Sequence, residues 1–484
     1  MSQKLILNIL KEGVPVKRFM EQTAGGRNPY DSILFIDGDD NARAVGDDIS
    51  SKFGGVNNIY APAVILNLPN GEKASKIYGH INSIYILSTN GNVYSIGRND
   101  TGQAALPAGN GTADVIKPTR TGISNCIKVA HPTGHGYGQP PALLSCMFLI
   151  NTGQVYSAGT NQFGQLGSGN TTNTANINPY LTLGPGNSYG NPTTTVTDVI
   201  SVGSWNGSGA YETYCALLSN GTVWCVGNGG EGQMGNGTTT TTNTLWRQVQ
   251  NAATSTALTN IVSIYGAGVH GGTSFYALNA SGELFSWGYN GQGQLGLGNT
   301  TNATRATRVT PFGSGVIVDV YAFNSGLSSV IVKMSNGDFY ACGFNGSGQL
   351  GVGDTTNRNT FTLITSLQNK NIEQVYYNGG DQGNYVFAKE RGTNKIYSTG
   401  NNSFGQLGLY NTSAVNVFTE IPFNITSPII DIIPIYTWNV GGFTFILTAD
   451  GNTYFAGQSR WGYAGDPDRN ISIFTKNTYQ LTGG

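Results

Sequence analysis

Two histidines and one acidic turn are the residues whose types and spacing could bind a metal ion. His131 and His135 lie four residues apart, a spacing that would place both on one face of a helix. The surrounding segment 131–141 (HPTGHGYGQPP) is too rich in Gly and Pro to be helical. The acidic turn 37–42 (DGDDNA) has the carboxylate density of a calcium loop but lacks the glutamate that completes one. We therefore expect no metal and no cofactor.

No combination of residues in the sequence indicates a catalytic site. The glycine-rich run 227–232 (GNGGEG) lacks the GK[ST] ending of a phosphate-binding loop, and it belongs to a repeat described below. We predict that the protein is not an enzyme.

The cysteines are odd in number and irregularly spaced, without a CxxC pair: Cys126, Cys146, Cys215, Cys225 and Cys342. This pattern favours small buried hydrophobic residues over a metal site. Cys215 and Cys225 flank an Asn-Gly turn at 220–221. In a two-residue hairpin turn Ala216 would face Cys225, so we expect no disulfide there.

A glycine recurs at the end of a short β-like run, in seven copies 55 to 68 residues apart: Gly97, Gly159, Gly227, Gly288, Gly343, Gly400 and Gly457. An aromatic residue precedes each glycine by three positions: Tyr94, Tyr156, Trp224, Phe285, Tyr340, Tyr397 and Tyr454. Another glycine follows by five positions and opens a GQLG motif or a variant of it. Such a period predicts an architecture of similar units packed side by side.

We predict that each unit forms four short antiparallel strands. An alternating apolar run leads into Asn-Gly, Ser-Gly or Asp-Gly, which favour a two-residue hairpin turn, and the strand with the constant aromatic follows. We expect the aromatics to form one shared layer of core and the Leu or Met of GQxG to fill the core between units. The fold class is therefore all-β, a propeller of four-stranded antiparallel blades.

The units G-x-V-Y-S-x-G-x-N-x-x-G-Q-L-G resemble the regulator of chromosome condensation (RCC1) repeat family, with clean copies at 153–167 and 282–296. The resemblance covers about residues 75–481 and implies a seven-bladed propeller. The family commonly has a His eight positions before the turn glycine. Here that position is mostly a small hydroxyl residue that could replace the imidazole as a hydrogen-bonding bracket: Ser83, Ser145, Thr213, Ser274, Ser329 and, in the last repeat, Phe443.

The N-terminal part divides in two. Residues 29–74 contain degenerate copies of repeat strands, and we expect them to close the ring. The propeller would then span residues 29–484, with seven repeats in 75–484. An eight-bladed ring is the alternative. Residues 1–28 fit no repeat, and we interpret them as an arm outside the propeller that could dock onto another protein.

The loops between the first and second strands of each unit are long and varied, and by repeat geometry they share one face of the disc. They carry aromatic and polar residues among Gly, Ser and Asn, as a binding surface does: Tyr137, Trp205, Tyr211, His270, Phe323, Tyr377, Asp381 and Trp438. The alternative is that these aromatics pack on their own blade. We place the Asn- and Thr-rich tracts that follow GQxG at the opposite face and interpret them as local turn caps.

The composition bears on the choice of function. The chain has 25 Lys and Arg against 26 Asp and Glu, a net charge of -1, which argues against nucleic-acid binding. Charged residues make up 11%, compared with about 25% in ordinary globular domains. No stretch is apolar enough to span a membrane, and the N-terminus shows no signal peptide.

Three functions remain open. Low charge with abundant Gly, Asn and Thr and no export signal favours a structural component on a virion surface, such as a phage decoration, fibre or receptor-binding protein. Residues 1–28 would then contact capsid or tail proteins, and the propeller would contact a host receptor or glycan. The RCC1 resemblance implies instead a cytoplasmic regulatory propeller that binds a small GTPase or another protein, since the namesake acts on chromatin and as a nucleotide exchange factor, and a bacterial relative inhibits β-lactamases. A carbohydrate-binding propeller using Trp205 and Trp438 is the third.

Overall fold

A computed structural model of the chain describes residues 16–19, 32–37, 39–46, 64–80, 83–107, 112–131, 145–173, 180–184, 194–205, 210–268, 272–323, 328–377, 384–423, 425–437, 441–450, 452–459 and 469–476. Within these ranges the chain forms eight four-stranded sheets, and in each sheet successive strands pair antiparallel. The short turns of 3-10 helix that the structure describes are Pro69–Gly71 and Thr365–Leu367.

The strands follow the repeat, four to a sheet, after an N-terminal sheet of β1 (Val16–Phe19), β2 (Ser32–Asp37), β3 (Ala42–Gly46) and β4 (Val64–Ile65). Repeats 1 and 2 comprise β5 (Ala74–His80), β6 (Ser83–Ser88), β7 (Val93–Gly97), β8 (Val115–Arg120), β9 (Cys126–Ala130), β10 (Ser145–Ile150), β11 (Val155–Gly159) and β12 (Tyr180–Leu183). Repeats 3 and 4 comprise β13 (Val196–Trp205), β14 (Ala210–Leu218), β15 (Val223–Asn228), β16 (Thr242–Gln248), β17 (Ile261–Ala267), β18 (Ser274–Asn279), β19 (Leu284–Gly288) and β20 (Ala303–Arg308).

Repeats 5 to 7 complete the series with β21 (Ile317–Ala322), β22 (Ser329–Met334), β23 (Phe339–Gly343), β24 (Arg358–Leu363), β25 (Ile372–Tyr377), β26 (Tyr385–Glu390), β27 (Ile396–Gly400), β28 (Val415–Glu420), β29 (Ile429–Thr437), β30 (Gly441–Thr448), β31 (Thr453–Ser459) and β32 (Arg469–Lys476). The predicted all-β fold with four antiparallel strands per repeat is confirmed.

The N-terminal segment forms a sheet of its own. All four strands of that sheet come from residues before 66, and all four strands of repeat 7 come from the C-terminal part, so neither sheet combines strands from both ends. The seven four-stranded repeat sheets predicted for residues 75–484 are confirmed, and the N-terminal sheet is present in addition to them. Val16–Phe19, which lie within the predicted arm 1–28, pair with β2 and belong to this sheet; the rest of that arm lies outside the described residues.

The hairpin turns differ from the two-residue type that the sequence predicts. In repeat 3 the N–H of Gly221 donates to the carbonyl of Leu218, and the N–H of Leu218 donates to the carbonyl of Thr222. Gly221 has a φ of +73°, whereas Asn220 is not among the residues of positive φ. A two-residue type I′ turn would require positive φ at both, so the loop is a three-residue turn that ends in a glycine bulge.

This turn changes the strand register by one residue. Cys215 faces Cys225 directly, with their Cα atoms 4.1 Å apart, and the two form a disulfide. The expectation that Ala216 would face Cys225 is wrong, because Ala216 pairs with Trp224. Cys126, Cys146 and Cys342 are buried thiols, as the sequence predicted.

Among the described residues the core forms seven clusters, each between two consecutive sheets, from the N-terminal sheet with repeat 1 to repeat 6 with repeat 7. The seven constant aromatics therefore do not form one shared layer, because each belongs to or packs against a different cluster. Tyr94, Phe285, Tyr340 and Tyr397 are buried, whereas Tyr156, Trp224 and Tyr454 are half-buried. The GQxG side chains Leu166, Met234, Leu295, Leu350 and Leu407 are fully buried and fill the space between repeats, as predicted.

Candidate functional site at the loop face

The loop face is the end of the sheets where the first strand of each repeat ends and the second begins. Because the strands of a repeat alternate in direction, the connection from third to fourth strand emerges at this same end. The prediction that the Asn- and Thr-rich tracts lie at the opposite face is therefore wrong. One example is Asn243, at the start of a fourth strand, whose N–H donates to the carbonyl of Phe163 beside the GQLG motif of the preceding repeat.

Three of the eight predicted binding residues have described side chains: Tyr211, Phe323 and Tyr377. Trp205 ends β13, but its side chain lies outside the described part, as do Tyr137, His270, Asp381 and Trp438 altogether. Neither the joint binding surface nor the carbohydrate site at Trp205 and Trp438 can therefore be assembled from the described residues, and both stay predictions.

The three described aromatics stack across the boundaries between repeats. The rings of Phe323 in repeat 5 and Tyr377 in repeat 6 are stacked with centroids 4.4 Å apart. The ring of Tyr211 in repeat 3 is stacked on Phe163 in repeat 2 at 5.0 Å. They contact the neighbouring repeat rather than only their own, which fixes their positions at the loop face.

Beneath the aromatics, each junction between repeats contains a polar set. We define a junction set as three positions: the second-strand residue that pairs with the repeat glycine, the Gln of GQxG in the same repeat, and the residue one position before the equivalent second-strand residue of the next repeat. In the junction between repeats 2 and 3 these are Ser145, Gln165 and Glu212. In the junction between repeats 5 and 6 they are Ser329, Gln349 and Asn384.

The first of these positions was expected to carry a hydroxyl that forms a hydrogen bond in place of the family's His. Four of the described repeats have this hydrogen bond. Each hydroxyl donates to the carbonyl that follows the repeat glycine: Ser83 to Arg98 (3.1 Å), Thr213 to Asn228 (2.7 Å), Ser274 to Tyr289 (2.7 Å) and Ser329 to Phe344 (2.8 Å). These bonds join the second strand to the start of the GQxG loop. The hydroxyl thus supplies the link for which the family commonly uses a His.

Ser145 makes a different bond because its neighbour is a buried carboxyl. Its hydroxyl contacts a carboxyl oxygen of Glu212, which also accepts from Gln165 Nε2 at 3.3 Å. Glu212 is only 1% exposed, and burial raises its pKa to about 8 although both hydrogen bonds lower it. Tyr214 Oη lies 2.8 Å from Ser145 Oγ. Burial in this cluster therefore favours the protonated form of the Glu212 carboxyl.

A buried asparagine organises the loop of each clean repeat, and sequence reasoning missed its role. In repeat 4 the Oδ1 of Asn290 accepts from the Leu295 N–H at 2.9 Å, and its Nδ2 donates to the carbonyls of Asn299 and Thr301. Asn161, Asn345 and Asn402 bond in the same way to their own loops. The Asn-Thr tracts are therefore structural caps, as expected. The constant spacing of this Asn from GQxG was the signal that could have shown its role.

The described residues give no indication of a metal centre or a membrane-spanning helix. Within them no group of three or more His, Cys, Asp and Glu side chains could hold a metal ion. None of the helical segments described is long and apolar enough to cross a membrane.

Comparison with known proteins shows which sequences this chain is similar to. The regulator of chromosome condensation (RCC1) repeat matches residues 281–322 and 336–378. The chain is 34% identical to the secretion-regulating guanine nucleotide exchange factor of Mus musculus over 132 residues, 27% of either chain. It is 32% identical to the X-linked retinitis pigmentosa GTPase regulator of Homo sapiens over 145 residues, 30% of this chain and 13% of that protein. The matches thus span only a small part of these relatives.

Two solved structures share the fold at low identity. Human WBSCR16 superposes with a TM-score of 0.53 at 16% identity, over 80% of this chain and 89% of that one. Prp20p of Saccharomyces cerevisiae, described with its binding to Gsp1p and histones, superposes with a TM-score of 0.50 at 18% identity, over 75% and 79%. With seven four-stranded repeat sheets, these matches show that the chain carries RCC1 repeats at residues 281–322 and 336–378 and has an RCC1-like β-propeller fold.

Proposed function

We propose that the protein is a regulatory propeller that binds a small GTPase, or another protein of similar size, through its loop face. The observation that carries the proposal is the fixed position of two half-buried aromatic side chains at that face, since Tyr211 stacks on Phe163 and Tyr377 stacks on the buried Phe323 across a repeat boundary. Rigid aromatics contribute binding energy at a low entropic cost. The similarity to an exchange factor and a GTPase regulator supports a GTPase as the partner class.

Binding and nucleotide release test this proposal. The full chain would be titrated against a panel of small GTPases in the nucleotide-free, GDP-bound and GTP-bound states, with release of a fluorescent GDP analogue measured in parallel. We expect one GTPase to bind with a 1:1 ratio, and Tyr211→Ala to weaken that binding by at least about tenfold. Val262→Ser is the matched control, because Val262 is 52% exposed and lies at the opposite end of its sheet.

Absence of binding across the panel, or equal weakening by Val262→Ser, would contradict the proposal. Thermal unfolding of each variant checks that a loss of binding does not come from a loss of fold.

The hypothesis of a structural component on a virion surface receives no support from the comparisons or from the described residues. The same holds for capsid, tail or glycan partners. The virion hypothesis nevertheless makes a separate prediction, co-sedimentation of the chain with a particle of megadalton mass in a lysate of the source. The GTPase-binding proposal expects the chain near its own 51.1 kDa or in a small complex. Sedimentation with a particle would overturn that proposal.

A further inference from the structure

A series of hydrogen bonds links one buried carboxyl to the aromatic pair at the loop face between repeats 2 and 3. Glu212 Oε2 accepts from Gln165 Nε2 at 3.3 Å. Gln165 Oε1 in turn accepts from the backbone N–H of Phe163 at 2.9 Å. The ring of Phe163 stacks on Tyr211, the residue before Glu212 in the chain, with centroids 5.0 Å apart. The carboxyl and the two rings therefore form one connected network.

This network joins two repeats. Tyr211 and Glu212 belong to β14 of repeat 3, whereas the segment 163–167, which contains GQLG, belongs to repeat 2. The carbonyl of Phe163 also accepts from the N–H of Asn243 in β16 at 3.1 Å. Because the members of a hydrogen-bonded network order one another, a change at the carboxyl is transmitted to the stacked rings.

Repeat 6 has the same loop without the carboxyl. Its segment 404–408 (FGQLG) has the sequence of the repeat 2 segment, and its first N–H donates to the Gln side chain at the same 2.9 Å. Gln406 Nε2 donates to Asn401 Oδ1 at 3.4 Å, and Gly442 takes the place of Glu212. The loop thus forms without a carboxyl, so its formation does not account for Glu212.

The titratable side chains around Glu212 are acids that are neutral when protonated. Burial is the largest cause that raises the pKa of Tyr85 in β6, Cys146 in β10 and Tyr214 in β14, and the charge of Glu212 contributes to each rise. An ionised Glu212 therefore lies among groups that disfavour a second negative charge, and burial disfavours its own.

The basic groups of the neighbouring strand β9 contact other partners. The ring of His131, just after β9, lies edge-on to Tyr78 of repeat 1, with centroids 6.4 Å apart. Lys128 pairs with Asp198 at 2.6 Å. Asp198 lies five positions along β13 from the residue that pairs with Glu212, roughly 16 Å at the rise of a strand. Neither contact directs a positive charge at the Glu212 carboxyl.

We propose that Glu212 is a positioning residue for the contact between Tyr211 and Phe163, and that it makes partner binding at this junction proton-dependent. The protonated carboxyl keeps its bonds to Gln165 and holds Tyr211 in place. Ionisation draws water to the carboxyl, and Tyr211 loses its fixed position. Binding therefore weakens as the pH rises through the range in which Glu212 ionises. The inference deepens the proposed function, because it assumes that Tyr211 contacts the partner.

Fluorine NMR of the full chain labelled with fluorophenylalanine follows the contact without a partner. The signal of Phe163, assigned by its loss in Phe163→Leu, reports the stacked pair, and that of Phe404 in the identical loop is the internal control. We expect the Phe163 signal to shift with a midpoint at about pH 8 while that of Phe404 stays constant. Glu212→Gln, a neutral side chain of the same shape, should abolish the shift.

Ser145→Ala provides a graded test of the assignment. The hydrogen bond from Ser145 lowers the pKa of Glu212, so its loss should move the midpoint to higher pH. A Phe163 signal that does not titrate in the wild type, titrates equally in Glu212→Gln or moves together with that of Phe404 would overturn the role of Glu212. A midpoint that Ser145→Ala leaves unchanged or lowers would overturn it as well.

A GTPase found in the panel extends the test to binding. We expect its affinity to fall at least about threefold from pH 7 to pH 9 with the wild type and to lose this dependence with Glu212→Gln. The same pH dependence with both would overturn proton-dependent binding. A Glu212-dependent shift of Phe163 with no GTPase bound keeps the positioning role and overturns the GTPase proposal, whereas a bound GTPase without such a shift overturns the positioning role alone.

Discussion

At the scale of single residues, Glu212 distinguishes one junction from the others. The same position carries Thr273, Ser328, Asn384 and Gly442 in later repeats, all neutral. Its carboxyl is buried against Ser145, Gln165 and Tyr214, and its pKa is set by burial and by the hydrogen bonds from Ser145 and Gln165. Burial also raises the pKa of Cys146 to about 12 and that of Tyr85 well above 10, so the surrounding groups stay neutral.

This junction makes the stability of the protein depend on pH. The folded pKa of about 8 exceeds the ordinary glutamate pKa of 4.5, so the folded state holds the proton more tightly. The contribution of Glu212 is complete below the unfolded pKa and is lost as pH rises through the folded pKa. We expect the free energy of unfolding to fall by roughly 2–3 kcal/mol between pH 6 and pH 8 from this group alone.

Urea unfolding at several pH values checks this expectation. Glu212→Gln should flatten the dependence, whereas Glu420→Gln, at a largely exposed carboxyl, should leave it unchanged. A wild-type midpoint that stays constant from pH 6 to pH 8, or falls equally in Glu212→Gln, would rule out this role for Glu212.

At the scale of secondary-structure elements, the three-residue turn decides which side chains meet across a hairpin. It places Cys215 opposite Cys225 in β14 and β15, and both are fully buried between repeats 3 and 4. A sequence contains the Asn-Gly pair but not the φ of each residue, and one residue of register moves every side chain to the other face. That is why the disulfide could not be predicted from the spacing.

Thiol titration tests the register directly. The denatured, unreduced chain should expose three thiols, those of Cys126, Cys146 and Cys342, and five after reduction. Closing a loop of this length stabilises a protein by about 2–3 kcal/mol, so Cys215→Ala with Cys225→Ala should lower stability by that amount. Cys342→Ala is the control, because it should remove one free thiol and leave the Cys215–Cys225 disulfide intact. Five thiols before reduction would contradict the disulfide.

The first glycine of GQxG holds consecutive repeats together. A Cβ on Gly164 would lie 2.5 Å from the Cα of Thr244 in the next repeat, where backbone cannot easily yield. Gly164→Ala should therefore destabilise the protein by roughly 2–4 kcal/mol, more than the cost of its positive φ alone. Gly392→Ala separates the two terms, because Gly392 has a φ of +73°, close to +75° for Gly164, but nothing within 4 Å. Thermal or urea unfolding of both variants measures the difference. An equal loss of stability in Gly164→Ala and Gly392→Ala would contradict a role for the contact with Thr244.

The periodicity of the sequence predicts the structural features that every repeat shares. It does not predict the contacts that differ from one repeat to the next. The seven glycines, the GQxG core side chains and the four-strand unit follow from constant offsets, and the structure has them. The Asn-Thr tracts lie at the loop face and not opposite it, because the third and fourth strands of a unit connect at the same end as the first and second. The pairings Phe323 with Tyr377 and Tyr211 with Phe163 join different repeats, and no offset within one repeat encodes them.

At the scale of the whole molecule, the chain is a series of sheets in which each shares a core cluster with its sequence neighbours. Ile36 of the N-terminal sheet lies in the cluster with β5–β7, and Ile331 lies in the cluster between repeats 5 and 6. In such a series, stability is a sum of unit terms and nearest-neighbour interfaces. A defect in one cluster should therefore open the sheets on either side and leave distant sheets closed.

Hydrogen exchange by mass spectrometry tests this with two matched variants. Ile36→Ala should remove about 2–4 kcal/mol at its own interface and raise amide exchange in β2, β3 and β5–β7, while β21–β27 remain protected. Ile331→Ala, an equally buried isoleucine, should give the opposite map. A uniform rise in exchange across all sheets in both variants would instead identify one cooperative unit. In that case the N-terminal sheet would be an integral part of the propeller, and a partner bound at one junction could influence every other junction.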